Sequence, residues 1–305
     1  MTSTIHLVCG ERRLGARLRA WLARLGLAPP LPLTLDVRVG EPAARAVDRR
    51  PLFQQPGIAV RAGPPRGGVH LSWETAAAVA ELDGTAPLAR VTLSPAAVAR
   101  LDECAETFLL TVLIFLLRRA GWHHIHAATL IDPRGRGWLL AGTAQAGKST
   151  TAALLAREGW GVGGDDAAFL AAGDARVTAV ASRAPIALRA DGYRLLRCSG
   201  GTLVPRRRKF GYWPEELGGE FAPRVVPEVI LFTSVGNGRT TATPVARREC
   251  LAQLVRWSAW VLLEPDLAQE HLDLIARLAG QVESYRVTLG RDLFARPARL
   301  AELIA

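Results

Sequence analysis

Cysteine is scarce. The chain of 305 residues carries four, Cys9, Cys104, Cys198 and Cys250, and no two stand in C-x-x-C spacing. That removes support for a structural zinc site or a disulfide framework and makes a reducing compartment the default. Long apolar runs are lacking too. The longest, FLLTVLIFLL at 108–117, has ten residues, against the roughly 20 that a membrane-spanning helix requires. It reads as a core helix. The N-terminal stretch holds no apolar core of the signal-peptide kind. The expectation is a cytoplasmic protein that uses no membrane. Neither an internal repeat nor a low-complexity linker is visible. What is plentiful is apolar content, 49%, and arginine, which carries most of a formal charge of +10. A large core is therefore within reach. A basic surface favours nucleotides, polyanions or acidic peptides. The positive excess is scattered apart from RRRK at 206–209, so nucleic acid is not the expected partner.

Texture changes near residue 95. Before it, LTLDVRV (33–39), GIAVRAG (57–63), GVHLSWE (68–74) and ARVTLSP (89–95) read as strands between Gly and Pro breaks. The stretch at 11–26 reads as an amphipathic helix. Residues 1–95 are thus expected to form a strand-rich α+β accessory region, and 96–305 an α/β domain. In the latter, 96–121 has a helical pattern, 124–132 and 137–142 are strands joined by a PRGRG hairpin, and a helix follows to Gly159. A strand broken in its middle covers 160–173, and further strands lie at 175–189 and 227–235. Helical periodicity returns at 247–264, with Leu251, Leu254, Val255, Val261 and Leu262 near one face, and again at 266–281. SYRVTLG and a terminal helix close the chain.

Gly142, Thr143, Ala144, Gln145, Ala146, Gly147, Lys148 and Ser149 fit G-x-x-x-x-G-K-[ST] throughout, after an apolar strand and before an unbroken helix that Thr150 continues. Glycine permits the tight turn, successive backbone N–H groups point into one concavity, and the helix N-terminus adds positive potential. In such a loop Lys148 reaches the β- and γ-phosphates and Ser149 offers an oxygen to Mg²⁺. This is a site for ATP or a similar triphosphate. Asp165 and Asp166 end the next apolar stretch. Beside a magnesium nucleotide one carboxylate can support the metal and the other can accept a proton from an attacking hydroxyl; a solvated acidic turn is the other reading of GGDD. Three of the six histidines fall at 123, 124 and 126. His124 and His126 alternate about Ile125 and so share a strand face, from which His126 can address the phosphates or the acceptor, or merely fill a surface.

Taken together, His126-Ala127, the PRGRG hairpin, GTAQAGKS, REGW and Asp165-Asp166 resemble, in order, the motifs of the HPr kinase/phosphorylase family, which is similar in this core to ATP-dependent phosphoenolpyruvate carboxykinase. The resemblance covers roughly 100–290, with specific motifs only over 124–170. It implies a P-loop kinase domain with a mixed sheet, dependent on ATP and Mg²⁺. It further implies that Lys148 and Ser149 bind phosphate and metal, that one aspartate is the base (Asp165 is favoured) and the other, Asp166, supports the metal, and that His126 contacts the reacting phosphate. The sequence departs from the family at Thr143 and Gln145, and 182–196 lacks the family's E-[IV]-R-G stretch. A different acceptor is therefore expected. Relatives that phosphorylate a serine of a ribosomally made precursor, the lasso peptide kinases, supply the analogy: a serine kinase acting on a peptide or small protein. A small-molecule kinase for free serine or a sugar is the alternative, and a non-catalytic nucleotide-binding regulator is the reading from another class. The oligomeric state is left open. In 205–219 the cations Arg206, Arg207, Arg208 and Lys209 precede aromatics. Lys209 or Arg207 is a candidate for reaching nucleotide phosphates or an acidic peptide, and a solvated basic turn is the equal alternative.

Overall fold

The computed structural model describes residues 4–42, 51–63, 68–74, 77–204, 209–258 and 260–304. Arg206, Arg207 and Arg208 lie outside the described residues. The chain is α/β with mixed sheets and divides into two compact units, 1–123 with 260–271, and 124–259 with 272–305.

The first unit runs β1 (Ile5–Cys9), α1 (Arg12–Leu25), β2 (Leu33–Val39), β3 (Phe53–Gln55), β4 (Ile58–Gly63), β5 (Gly68–Trp73), β6 (Ala78–Leu82), β7 (Leu88–Leu93), α2 (Pro95–Ala99), α3 (Leu101–Cys104) and α4 (Leu110–Arg118). Its sheet has the order β1-β2-β7-β6-β5-β4-β3. The β1–α1–β2 crossover makes β1 and β2 parallel, β7 returns beside β2 in the same direction, and hairpins make the rest antiparallel. Alternation fixes the faces: Leu33, Leu35 and Val37 are buried, while Asp36 and Arg38 point the other way. Leu14, Leu18, Trp21, Leu22 and Leu25 form the buried stripe of α1, which ends at Gly26 in the left-handed region, φ 65°. α2 starts as its sequence dictates, with Pro95 in the first turn and the Ser94 hydroxyl accepting the Ala97 N–H at 3.2 Å.

The single helix expected over 96–121 is instead interrupted twice, at Arg100 (φ −109°, ψ 36°) and by a π-helical turn over Ala105–Leu109. Thr107 and Thr111 donate their hydroxyls to the carbonyls of Glu103 and Thr107, the back-bonding that loosens an α-helical ladder. Every residue of α4 from Thr111 to Arg118 is buried. Arg118 and Arg119 bind Glu264, and Arg118 also donates to the Trp260 carbonyl.

The second unit continues with β8 (His123–Ile125), β9 (Ala127–Ile131), β10 (Gly137–Ala141), α5 (Lys148–Ala156), β11 (Gly161–Gly164), β12 (Ala168–Ala172), β13 (Val177–Ala181), β14 (Ile186–Leu188), α6 (Ala190–Leu195), β15 (Thr202–Val204), β16 (Lys209–Tyr212), β17 (Glu220–Phe221), β18 (Arg224–Val225), β19 (Pro227–Val235), β20 (Thr241–Pro244), α7 (Arg247–Arg256), α8 (Pro265–Gln281), β21 (Glu283–Leu289), α9 (Asp292–Ala295) and α10 (Arg299–Glu302). β8 and α8 each begin in the first unit and end in this one. The main sheet has the order β17-β11-β9-β10-β19-β21-β20; β18-β13-β12-β8 and β14-β16-β15 are smaller sheets. β10, β19 and β21 are parallel, so their C-terminal ends, Ala141, Val235 and Leu289, lie along one sheet edge. Trp138 and Trp160 pack edge to face at 5.2 Å within a core that includes Leu154, Leu155, Val162, Leu231 and Val287. The β9–β10 hairpin is tied by Asp132, which accepts the N–H groups of Arg134 and Arg136 and the Trp138 indole N–H.

The helix expected over 247–264 stops at Arg256. The Trp257 carbonyl accepts the His126 N–H at 2.9 Å and is lost to a helical ladder. Leu262, expected on the apolar face, is 69% exposed.

Candidate functional site

Residues 142–147 connect β10 to α5. Gly142 has no room for a side chain: a Cβ would stand 2.7 Å from the Thr233 carbonyl. Gly147, at φ 87°, sits where a β-carbon is disfavoured, and its carbonyl accepts the Thr151 N–H. Gln145 adopts φ 69° without being glycine. As at any helix N-terminus, the first N–H groups of α5 have no intrahelical acceptor, which favours an anion there.

Lys148, 6% exposed, donates to the carbonyls of Gly142 (2.8 Å) and Thr143 (3.1 Å) and approaches His126 Nε2 at 3.0 Å. An ammonium only donates, so Nε2 accepts and the imidazole proton sits on Nδ1. Nδ1–H in turn donates to the Asp166 carbonyl at 2.8 Å, with Asp166 Oδ1 3.4 Å away. Burial pushes the His126 pKa down, against the pull of Asp166, in keeping with the neutral ring. Burial also lowers the Lys148 pKa. Lys148 and Asp166 thus stand on one side, joined through His126.

Asp165 has different company. It is 7% exposed, and its carboxylate accepts the Ala187 N–H at 3.1 Å and the Ser149 hydroxyl. Burial and the neighbouring Asp166 raise its pKa. The structure therefore pairs Asp165 with Ser149 and Asp166 with His126. His124 does not share the role of His126: it is buried edge-on to Phe169, and the strand ends before His126.

A cleft of about 610 Å³ opens over the loop, lined by Ala144 through Thr151, His126, Asp166 and Lys209. Thr143 and Gly142 contribute through the carbonyls that hold Lys148. The sequence motifs missed Arg189, Asp191, Asn237 and Arg291, which also line it. Asn237 and Arg291 come from the ends of β19 and β21, and the signal for them was the glycine that closes each strand, Gly236 and Gly290, as Gly142 closes β10. Among the described residues, no group of three or more His, Cys, Asp or Glu side chains could cage a metal ion. Mg²⁺ needs no such cage, since it binds through one or two carboxylates, substrate phosphates and water. Ser149 beside Asp165, with a second carboxylate adjacent, is a donor set of that kind.

No family model and no curated protein matches the sequence. Among solved structures, the Hpr(Ser) kinase/phosphatase from Coxiella burnetii is similar over 59% of this chain and 92% of that chain, with 12% identity and a TM-score of 0.29. A likeness at that level decides neither family nor activity.

Proposed function

We propose that the second unit is a P-loop kinase domain of the HPr kinase type that transfers the γ-phosphoryl group of ATP to a serine-type hydroxyl, on a peptide or small protein. One observation carries this reading: Lys148, His126 and Asp166 form a bonded chain on the wall of a cleft that also contains the phosphate loop. The loop amides and Lys148 would hold the phosphates. Lys209, which also faces the cleft, would add charge. Magnesium bound with the nucleotide would neutralise charge between the β- and γ-phosphates, held by Ser149 and Asp165. We exchange the roles that the sequence favoured for the aspartates. Asp165 is buried and already accepts two hydrogen bonds, whereas Asp166 lines the cleft with a half-exposed side chain. Asp166 would take the acceptor's proton as its oxygen bonds to the γ-phosphorus and the bridge to the β-phosphate breaks. His126 would orient Asp166 through Nδ1. A reducing, cytoplasmic setting belongs to the same reading, in which all four cysteines are free thiols.

The test is incubation with γ-labelled ATP and Mg²⁺, offering serine-containing peptides, free serine and sugars in parallel. Label is expected on a peptide. Lys148→Ala and Asp166→Asn should each reduce transfer by about 10²–10⁴-fold with unchanged melting temperature. Asp165→Asn should chiefly raise the Mg²⁺ concentration required. Label on a free small molecule selects the metabolite kinase, and nucleotide binding with no transfer to any acceptor selects the regulator.

A further inference from the structure

We propose that the polar face of the first unit's sheet binds a free α-amino acid with an uncharged side chain. The site lies in its own cavity, within one unit, and does not depend on the transfer proposed above.

Strand register builds the site. Asp36 on β2 stands beside Arg90 on β7, Arg90 beside Glu81 on β6, Glu81 beside His70 on β5, and His70 beside Arg61 on β4. Such partners share a face and lie about 5 Å apart. One row across the sheet therefore alternates carboxylate and guanidinium over Asp36, Arg90 and Glu81. The next row carries Arg38, Thr92 and Val79. Thr92 and Val79 are short beside these neighbours, and a hollow of about 230 Å³ opens there, lined also by Asp36, Arg38, His70, Glu81 and Arg90. It is smaller than the roughly 300–1,000 Å³ of clefts for drug-sized ligands. His70 is 8% exposed and the Asp36 side chain 15%, although Asp36 points away from buried Leu35 and Val37. Polar groups thus form the hollow's sheltered wall.

The charges have partners within the sheet. Arg38 pairs with Asp36 at 2.9 Å, Arg90 with Asp83 at 2.8 Å, and Arg61 donates to the Ser72 hydroxyl at 3.1 Å. The Arg38 and Arg90 side chains are 75% and 51% exposed, and exposed pairs of this kind contribute little and reopen readily. The hollow's lining balances two carboxylates, Asp36 and Glu81, against two guanidinium groups, Arg38 and Arg90. An anion would gain the arginines but meet both carboxylates, and a cation would meet the reverse. A zwitterion whose two charges are joined through one carbon answers both signs at once. Its carboxylate would take the forked donors of Arg38 or Arg90, and its ammonium would donate to Asp36 or Glu81. The balanced lining leaves no charge for a charged side chain to answer, and Val79 offers an uncharged one an apolar contact.

The experiment titrates the full chain with L-alanine, L-valine and L-glutamine by calorimetry and records amide chemical shifts. None of the three has a hydroxyl to accept phosphate, so the outcome is separate from that of the kinase reading. Acetate and methylammonium serve as probes of a single charge. At least one amino acid is expected to bind with a dissociation constant below about 1 mM, and both single-charge probes at least about tenfold more weakly. The shift changes should fall on β2, β5, β6 and β7. Asp36→Asn and Arg90→Gln each remove one charge with little change of shape and should each weaken binding at least about tenfold at an unchanged melting temperature. Val79→Trp, which fills the hollow, should abolish binding, and Lys148→Ala should leave it unchanged. The proposal is overturned if none of the amino acids binds, or if acetate or methylammonium binds as tightly as the best of them. It is equally overturned if Asp36→Asn and Arg90→Gln bind as the parent does, or if the shift changes fall on the second unit.

Discussion

Gln145 holds φ 69° in the middle of the glycine-rich loop between β10 and α5. A left-handed conformation costs a non-glycine residue about 1–2 kcal/mol. The loop keeps it because the Ala146 N–H bonds the Thr143 carbonyl across the turn. Gln145→Gly should therefore alter stability little, since relief of this strain is offset by the greater freedom of glycine in the unfolded chain. Gln145→Val should destabilise by about 1–2 kcal/mol, because a β-branched residue tolerates positive φ worst. Chemical denaturation of both variants decides, and equal stability for Gln145→Val would contradict the strain. Gly163 is a harder constraint. A Cβ there would stand 2.3 Å from Thr129 Oγ1 and 2.6 Å from the Ala222 carbonyl. Gly163→Ala should destabilise by about 1–3 kcal/mol through overpacking, and a melting temperature equal to the parent's would contradict it.

At the scale of elements, the buried cluster of Arg118, Arg119 and Glu264 fixes the segment after Trp260 against α4 within the first unit. Burial lowers the Arg118 pKa and raises that of Glu264 despite their pairing, so desolvation is the larger influence on each. Removing one partner leaves a buried cation unmatched, and Glu264→Gln should cost about 3–5 kcal/mol in denaturant unfolding; a loss below about 1 kcal/mol would place the cluster among surface-like pairs. This cluster was invisible in the sequence, where Glu264 looked like the end of a helix. β2, β10 and β19, by contrast, were legible almost to the residue, because alternation or an unbroken apolar run between Gly and Pro breaks is a local property. The glycine-rich turn at 142–147 between β10 and α5 was legible for the same reason: its residues are contiguous. The breaks at Arg100, at the π turn and at Arg256 were not. They depend on hydroxyl back-bonds and on a carbonyl taken by His126, partners that periodicity does not contain. The division of the aspartates was equally hidden, since Ser149 and Ala187 meet Asp165 only in three dimensions.

For the whole molecule, buried histidines tie stability to pH. Burial lowers His123 to about 3 and His124 to about 4, against about 6.5 in an unfolded chain. As pH falls through 6.5 the unfolded chain takes up protons that the folded one refuses. Stability present above that pH is thus lost below it, by about 2 kcal/mol for each histidine between pH 6.5 and 5. The raised carboxyls of Asp165 and Glu264 act in the opposite sense, holding protons in the folded state and losing stability as pH rises. A comparison of slopes isolates the histidine: His124→Asn should have a flatter decline from pH 7 to 5 than the parent, and parallel slopes would contradict the assignment. The cleft over the 142–149 loop is proposed to hold a magnesium nucleotide, and titration calorimetry with a non-hydrolysable ATP analogue in the presence and absence of Mg²⁺ tests this. One-to-one binding that Mg²⁺ strengthens and Lys148→Ala abolishes is the expected result; binding indifferent to both Mg²⁺ and Lys148, or none at all, would contradict it.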